Sequence, residues 1–269
     1  KIINNKMPQT YHFVFCKDEI MLEKLPDGTY TIPSGDNPPT ETHPWTNILR
    51  VTAPACPDDE VRTYTTDAPV TGHARYEMCP LRASYYKLPY HLYATAGKCR
   101  ELNYWDEGTR FCGVCGGKMK MHTEISKRCE NCGKEVWPTP ATAVIVLVRR
   151  GDEMLLVHAR NFRGNFYGLV AGFVETGETL EEAVRREVLE ETGLHIKNLT
   201  YFGSQPWPYP CGLMVGFNAE YDSGEIRLQR SELSAGAWFT KDHLPEIPEK
   251  LSIARQLIDN FLEGAETNL

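Results

Sequence analysis

The sequence predicts an α+β protein in three parts. These are a strand-rich N-terminal domain ending in a linking helix, a small four-cysteine ribbon, and a C-terminal α/β/α sandwich with a mixed sheet. Three observations carry this. Two Cys-x-x-Cys pairs, Cys112/Cys115 and Cys129/Cys132, are separated by 13 residues. Short apolar runs of β-branched character, punctuated by Gly and Pro, recur on both sides of them. One strongly patterned, glutamate-rich helix comes after a glycine-marked stretch near residue 177. The predicted boundaries are 1–108, 109–138 and 139–269.

A length of 269 residues suggests two domains, or one with a small module, and 41% hydrophobic content allows a proper core. A net charge of −7 argues against nucleic acid as an obligatory bulk partner. No run approaches the ~18 apolar residues of a membrane span, and the N-terminus shows no signal-peptide core. Of the nine cysteines, Cys16, Cys56, Cys79, Cys99 and Cys211 are scattered and odd in number, which fits a reduced cytoplasm.

Residues 1–87 read as strand-rich and carry no catalytic signature. Tyr11 to Cys16 is an apolar and aromatic run, and Pro26, Gly28, Pro33, Gly35, Pro38 and Pro39 break up the chain beyond it. His12, His43 and His73 are isolated and read as structural or surface residues. From Leu88 to Trp105 the pattern turns helical, with Leu88, Leu92, Ala96, Cys99 and Leu102 at spacings of three and four.

Each Cys-x-x-Cys pair of the ribbon is followed directly by glycine, Gly116 or Gly133, which lets the backbone turn beneath a metal. Four thiolates in this pattern suit tetrahedral zinc at a closed, structural site, with one ion per chain. A redox protein using both pairs is the alternative. Over residues 110–138 the ribbon carries a net charge of +3 in a chain of −7, which keeps a nucleic-acid contact open beside a plain solvated surface.

In the third part, Ala143 to Val148, Met154 to His158 and Phe166 to Val170 are predicted strands, the last leading into a loop marked by Gly172, Thr176 and Gly177. Thr179 with Glu182 forms a capping box, so a helix should start there, and Gly193 should cap its end in the left-handed conformation. Strands are predicted at Thr200 to Ser204, Leu213 to Tyr221 and Gly236 to Phe239. A final helix carries Leu251, Ala254, Leu257, Ile258 and Phe261.

The glutamates of the first helix are oddly placed. Glu187 and Glu191 fall within about 20° of the apolar Leu180, and Glu190 lies on its flank. Like charges on a half-buried face repel one another, and folding alone does not favour them. Mg²⁺ or Mn²⁺ would resolve the conflict, since both take carboxylate oxygens. The bland alternative is a solvated acidic face.

The spacing Gly172, Glu178, then Arg186-Glu187-Val188-Leu189-Glu190-Glu191-Thr192-Gly193-Leu194 resembles the Nudix box at every fixed position. The resemblance implies a C-terminal Nudix α/β/α sandwich that cleaves a nucleoside diphosphate linked to another group. It implies that Glu187, Glu190 and Glu191 hold divalent metal and that Arg186 pairs with Glu178. Downstream, 204-SQPWPYP-210 is similar to the SQPWPFPxS signature of the NADH pyrophosphatase branch, which also carries a zinc ribbon just before its Nudix domain. Tyr209 replaces the motif's Phe, and Gly212 stands in the place of its last Ser.

That closer resemblance implies further roles. Phe173 and Trp207 would sandwich a nicotinamide ring, Glu232 would add a metal ligand, Gln205 and Ala254 would line the nucleotide pocket, and Trp137 would supply a stacking contact. It also implies a homodimer, NAD(H) as the substrate cleaved to AMP and nicotinamide mononucleotide, and removal of NAD caps from RNA. The alternatives are a Nudix hydrolase for another dinucleotide, such as ADP-ribose or a diadenosine polyphosphate, and a zinc-ribbon nucleic-acid-binding protein with an inactive Nudix fold.

Overall fold

The computed structural model describes residues 9–162 and 164–264, which form two compact units. Of the described residues, the first contains 9–140 and 208–211, and the second 141–162, 164–207 and 212–264.

In the first unit the strands are β1 (Thr10–Cys16), β2 (Glu19–Lys24), β3 (Tyr30–Thr31), β4 (Leu49–Arg50), β5 (Glu60–Thr65) and β6 (Tyr76–Pro80). They form one sheet in the order β3-β2-β1-β5-β4, with β6 also on β2. Tyr11 to Cys16 is buried, and β1 runs parallel to β5, with Phe13 opposite Thr63. A short helix α1 (Leu81–Ser84) precedes α2 (Tyr90–Gly108). The apolar stripe Leu92, Ala96, Cys99 and Leu102 of α2 is buried, as its spacing predicts. Leu88 lies ahead of the helix, because Pro89 starts it and the residue before a proline is pushed out of helical geometry. The ribbon comes next as a three-stranded sheet of β7 (Met119–Thr123), β8 (Ser126–Cys129) and β9 (Glu135–Val136).

The second unit is built on β10 (Ala141–Arg150), β11 (Glu153–Ala159), β12 (Val170–Phe173), helix α3 (Leu180–Thr192), β13 (His195–Pro206), β14 (Gly212–Ser223), β15 (Leu233–Thr240) and helix α4 (Ile253–Leu262). The strand order is β13-β14-β10-β11-β15, with β12 also on β10. The β10–β14 pair is parallel and the other pairs are antiparallel, so the sheet is mixed.

Alternation along β10 makes the two layers. Val144, Val146 and Val148 pack with Ala183, Val184 and Val188 of α3. Ile145 and Leu147 pack with Ile253, Leu257 and Ile258 of α4. Successive side chains of a strand point to opposite faces, so one continuous apolar run serves both helices. Each fully buried Val, Leu or Ile contributes about 1.5–3 kcal/mol relative to exposure.

Three predicted strands differ in extent. The third strand is Val170–Phe173 rather than Phe166–Val170, and Gly172 lies inside it, opposite Val144, instead of marking a loop. The Glu187 side chain of α3 approaches the strand closely at this point and takes the space a side chain at residue 172 would fill. Strands β13 and β14 are also longer than predicted and run 12 residues each. They carry Ser204, Gln205 and Pro206 into the sheet, with Pro206 opposite Leu213 at its end, where a residue without an N–H is tolerated. No helix among the described residues is long and apolar enough to cross a membrane.

Candidate active site and structural metal centre

Helix α3 begins as its sequence requires. The Thr179 hydroxyl accepts the Glu182 N–H, and the Glu182 carboxylate accepts the Thr179 N–H at 2.8 Å. Gly193 caps the C-terminus at φ 73°. These two ends fix the rotation of the helix, and with it the directions of its glutamates.

Arg186 is the centre of the first cluster. Its Nε and Nη2 donate to the two Glu178 carboxylate oxygens at 2.5 and 2.9 Å. Nη1 donates to Glu187 at 2.8 Å and to Glu190 at 3.1 Å, and Nη2 also reaches the Phe173 carbonyl at 3.0 Å. A bidentate guanidinium–carboxylate pair is directional as well as strong, so it ties the loop after β12 to the helix. The hydrogen bonds from Arg186 hold the Glu178 carboxyl down at about 2. Glu178 in turn raises the Arg186 pKa further.

The second cluster is electrostatically strained. Glu191 is only 5% exposed. Burial, reinforced by the charges of Glu187, Glu232 and Glu190, pushes its carboxyl up to about 8. Burial also raises Glu187, against the opposing pull of Arg186. Glu232 comes near because the segment before β15 is laced to the end of α3. Arg227 N–H donates to the Thr192 carbonyl at 2.7 Å and Gln229 N–H to the Glu191 carbonyl at 2.8 Å. The Glu232 N–H then closes onto the Gln229 carbonyl at 3.0 Å. Carboxylates that disfavour one another's charge are the donor set a hard divalent cation fits, because the cation reverses the local field.

Gly172 sits against this cluster. A Cβ on Gly172 would overlap the Glu187 carboxylate. A glycine read from sequence as a loop marker therefore makes room for a charged group beside the sheet. A glycine within an otherwise apolar strand run, before the exposed Phe173, is the sequence signal for such an approach.

The predicted substrate residues are spread over several elements. Phe173 ends β12 and is 66% exposed. Trp207 is half-buried, and its N–H donates to the Gly212 carbonyl at 2.7 Å. A Cβ on Gly212 would stand 3.2 Å from the Trp207 carbonyl, so glycine relieves a tight turn base where the motif has Ser. The Gln205 amide is engaged by the last helix. Its Nε2 donates to the Leu251 carbonyl at 2.8 Å, and its Oε1 accepts the Ile253 N–H at 2.7 Å. Gln205 thereby satisfies an otherwise orphaned donor at the start of α4, a use that sequence spacing did not reveal. Ala254, one residue on, is half-buried against the α4 side of the core. Trp137 belongs to the first unit, directly after β9, and is 55% exposed.

In the ribbon, the sulfurs of Cys112, Cys115, Cys129 and Cys132 all lie within 4.8 Å of one another. Cys112 and Cys132 are 3.7 Å apart, and Cys115 and Cys129 are 3.5 Å apart. A tetrahedron with Zn–S bonds of about 2.3 Å has S···S edges of about 3.8 Å, so the four thiols fit one zinc ion. The two knuckles match. Val114 N–H points to Cys112 Sγ and Asn131 N–H to Cys129 Sγ, each at 3.4 Å. Gly116 and Gly133 turn at φ 71° and 74°. Amide hydrogen bonds from Cys132 and Asn131 hold the Cys129 thiol down at about 6, which favours the ligating thiolate.

Much of the ribbon's positive charge is used internally. Lys127 is buried, pairs with Asp106 at 2.7 Å and lies over Trp105. Lys120 pairs with Glu130, and Arg128 with Glu135 at 3.0 Å.

Residues 138–261 match the NUDIX domain, and residues 109–136 match the NADH pyrophosphatase zinc ribbon domain. The chain carries a Nudix domain and an NADH pyrophosphatase zinc ribbon. It is 50% identical over 168 residues to a Haemophilus influenzae protein named NAD-capped RNA hydrolase NudC, covering 61% of this chain and 64% of that one. Relatives of the same name in Yersinia enterocolitica and Pseudomonas aeruginosa are 47% identical over 170 residues and 44% over 184. Those matches cover 63% and 68% of this chain, and 65% and 66% of the relatives. The chain thus spans just under two thirds of the length of each relative.

Proposed function

We propose that this Nudix protein hydrolyses the pyrophosphate bond of NAD(H), giving AMP and nicotinamide mononucleotide, and removes NAD caps from RNA 5′ ends to leave a 5′-monophosphate. The observation that carries the reading is that the charges of Glu187, Glu232 and Glu190 add to burial in raising the Glu191 carboxyl, on a helix that Arg186 ties to Glu178, in a chain that also holds the four-cysteine ribbon. The name of the relatives, NAD-capped RNA hydrolase, supports the capped-RNA substrate.

Glu187, Glu190, Glu191 and Glu232 would hold Mg²⁺ or Mn²⁺. When bound, such ions neutralise phosphate oxygens and lower the pKa of a coordinated water. Arg186 holds Glu187 and Glu190 in register and spans the gap to the Glu178 loop. Glu191, buried and disfavoured as an anion, is the group suited to take a proton from the attacking water. Phe173 and Trp207 offer flat surfaces for a nicotinamide ring, since aromatic faces stack on planar bases. Trp137 adds a further exposed face, Ala254 a small apolar surface, and Gln205 fixes the start of α4 next to it. The zinc would be structural, because four thiolates leave no open position. The ribbon would form a module of its own within the first unit, and the protein would act in the cytoplasm as a homodimer.

The test is direct competition. Purified protein with Mg²⁺ or Mn²⁺ is given NADH, NAD⁺, ADP-ribose and a short NAD-capped RNA, and initial rates are compared. Preference for the nicotinamide substrates supports the proposal. A rate on ADP-ribose at least about tenfold higher than on NADH, a difference of about 1.4 kcal/mol in transition-state binding, overturns it.

A further inference from the structure

The tip of the loop after β13 has a partner that no motif in the sequence announces. Residues 208–211 belong to the first unit, although Trp207 before them and Gly212 after them belong to the second. Within the first unit, the Tyr209 hydroxyl lies 2.7 Å from the Tyr93 hydroxyl of α2. Tyr93 is 7% exposed, and its ring meets Tyr85 edge-on at 5.2 Å, so its hydroxyl is held in place. Burial raises the pKa of both phenols, so both stay protonated at neutral pH and one donates to the other.

One turn along α2 from Tyr93, Pro208 covers Gly97, and a Cβ there would stand 3.1 Å from Pro208 Cγ. Glycine inside a helix costs roughly 0.5–1 kcal/mol relative to alanine. At Gly97 it leaves space for the proline. Two consecutive residues, Pro208 and Tyr209, are therefore seated on α2. Trp207 is their covalent neighbour, and its own backbone is tied at Gly212.

We infer that Tyr93 and Tyr209 are positioning residues. Their hydroxyl pair, with the Pro208–Gly97 contact, fixes the loop that carries Trp207 and so sets affinity for the nicotinamide ring of the substrate. The inference rests on the proposed stacking role of Trp207. The hydroxyl pair belongs to this chain's Tyr209, since a phenylalanine there has no oxygen to offer.

The experiment compares Tyr93→Phe, Tyr209→Phe, the double variant and Gly97→Ala, each alone and with Trp207→Ala. Equilibrium Kd, KM and kcat are measured for NADH and for ADP-ribose, which has no nicotinamide, and melting temperatures are recorded. Each single variant is expected to raise Kd and KM for NADH about three- to tenfold with kcat within about twofold, leaving ADP-ribose unchanged. The double variant should be no worse than either single one, because both remove the same bond. With Trp207→Ala present, the tyrosine changes should have no further effect. Equal effects on both substrates, or additive effects of the two tyrosine changes, overturn the positioning role. If Trp207→Ala itself treats NADH and ADP-ribose alike, the stacking reading fails and the positioning role falls with it. If Trp207→Ala discriminates and the tyrosine and glycine variants do not, only the positioning role falls.

Discussion

Gly172 and Glu187 share one small space: the carboxylate of α3 lies where a side chain on β12 would otherwise be. The Glu187 carboxylate can occupy this place beside the strand only because residue 172 has no Cβ. The box's first glycine is thereby a condition for the position of a proposed metal ligand.

Gly172→Ala should therefore displace Glu187 and spare the fold, since the cores on either side of the sheet do not involve residue 172. Turnover of NADH should fall by roughly 10²-fold, the usual result of an ångström-scale misplacement at a reacting centre. Steady-state kinetics and far-UV circular dichroism check this. Unchanged turnover with a folded protein would mean that Glu187 tolerates the shift and is not a ligand.

The Arg186–Glu178 pair predicts a pH effect. The folded-state carboxyl of Glu178 is held at about 2, below its ordinary 4.5. A depressed acid contributes stability above its unfolded pKa and loses it as pH falls through the folded one. On acidification from about pH 5 to 2, the wild-type melting temperature should fall more steeply than that of Glu178→Gln. Parallel curves in thermal scans would show that the pair contributes no pH-dependent stability.

Much of this site is legible in the sequence alone. The Thr179/Glu182 capping box and Gly193 are local signals, written in side chains that bond their own backbone, and the structure has both. The valine-rich run of β10 and the carboxylates at spacings of three and four also read directly. What could not be read is non-local. Whether Gly172 lies in a loop or a strand depends on pairing with Val144, nearly thirty positions earlier in the chain. Gln205 looks like a free amide in a proline-rich loop until the start of α4 is placed against it. The approach of Glu232 depends on backbone bonds from Arg227 and Gln229, which have no sequence signature. The positive charge of the ribbon is visible in sequence, but its internal pairing with Asp106, Glu130 and Glu135 is not.

The four-thiol geometry predicts a stability effect separate from catalysis. Cys112→Ser, or treatment with a strong chelator, should release one zinc per chain and lower the melting temperature. A small metal site of this kind supplies much of the folding free energy of its own module. Zinc quantification with thermal scans checks it. Retention of one zinc with an unchanged melting temperature would remove the structural role assigned to Cys112.

The most direct test of the central claim is the turnover number of Glu191→Gln on NADH in Mg²⁺ or Mn²⁺. The substitution keeps the shape of a buried side chain and removes its charge and its proton-accepting capacity. The account predicts a loss of at least about 10²-fold in kcat, with the melting temperature held. Wild-type turnover in a folded Glu191→Gln protein would contradict it.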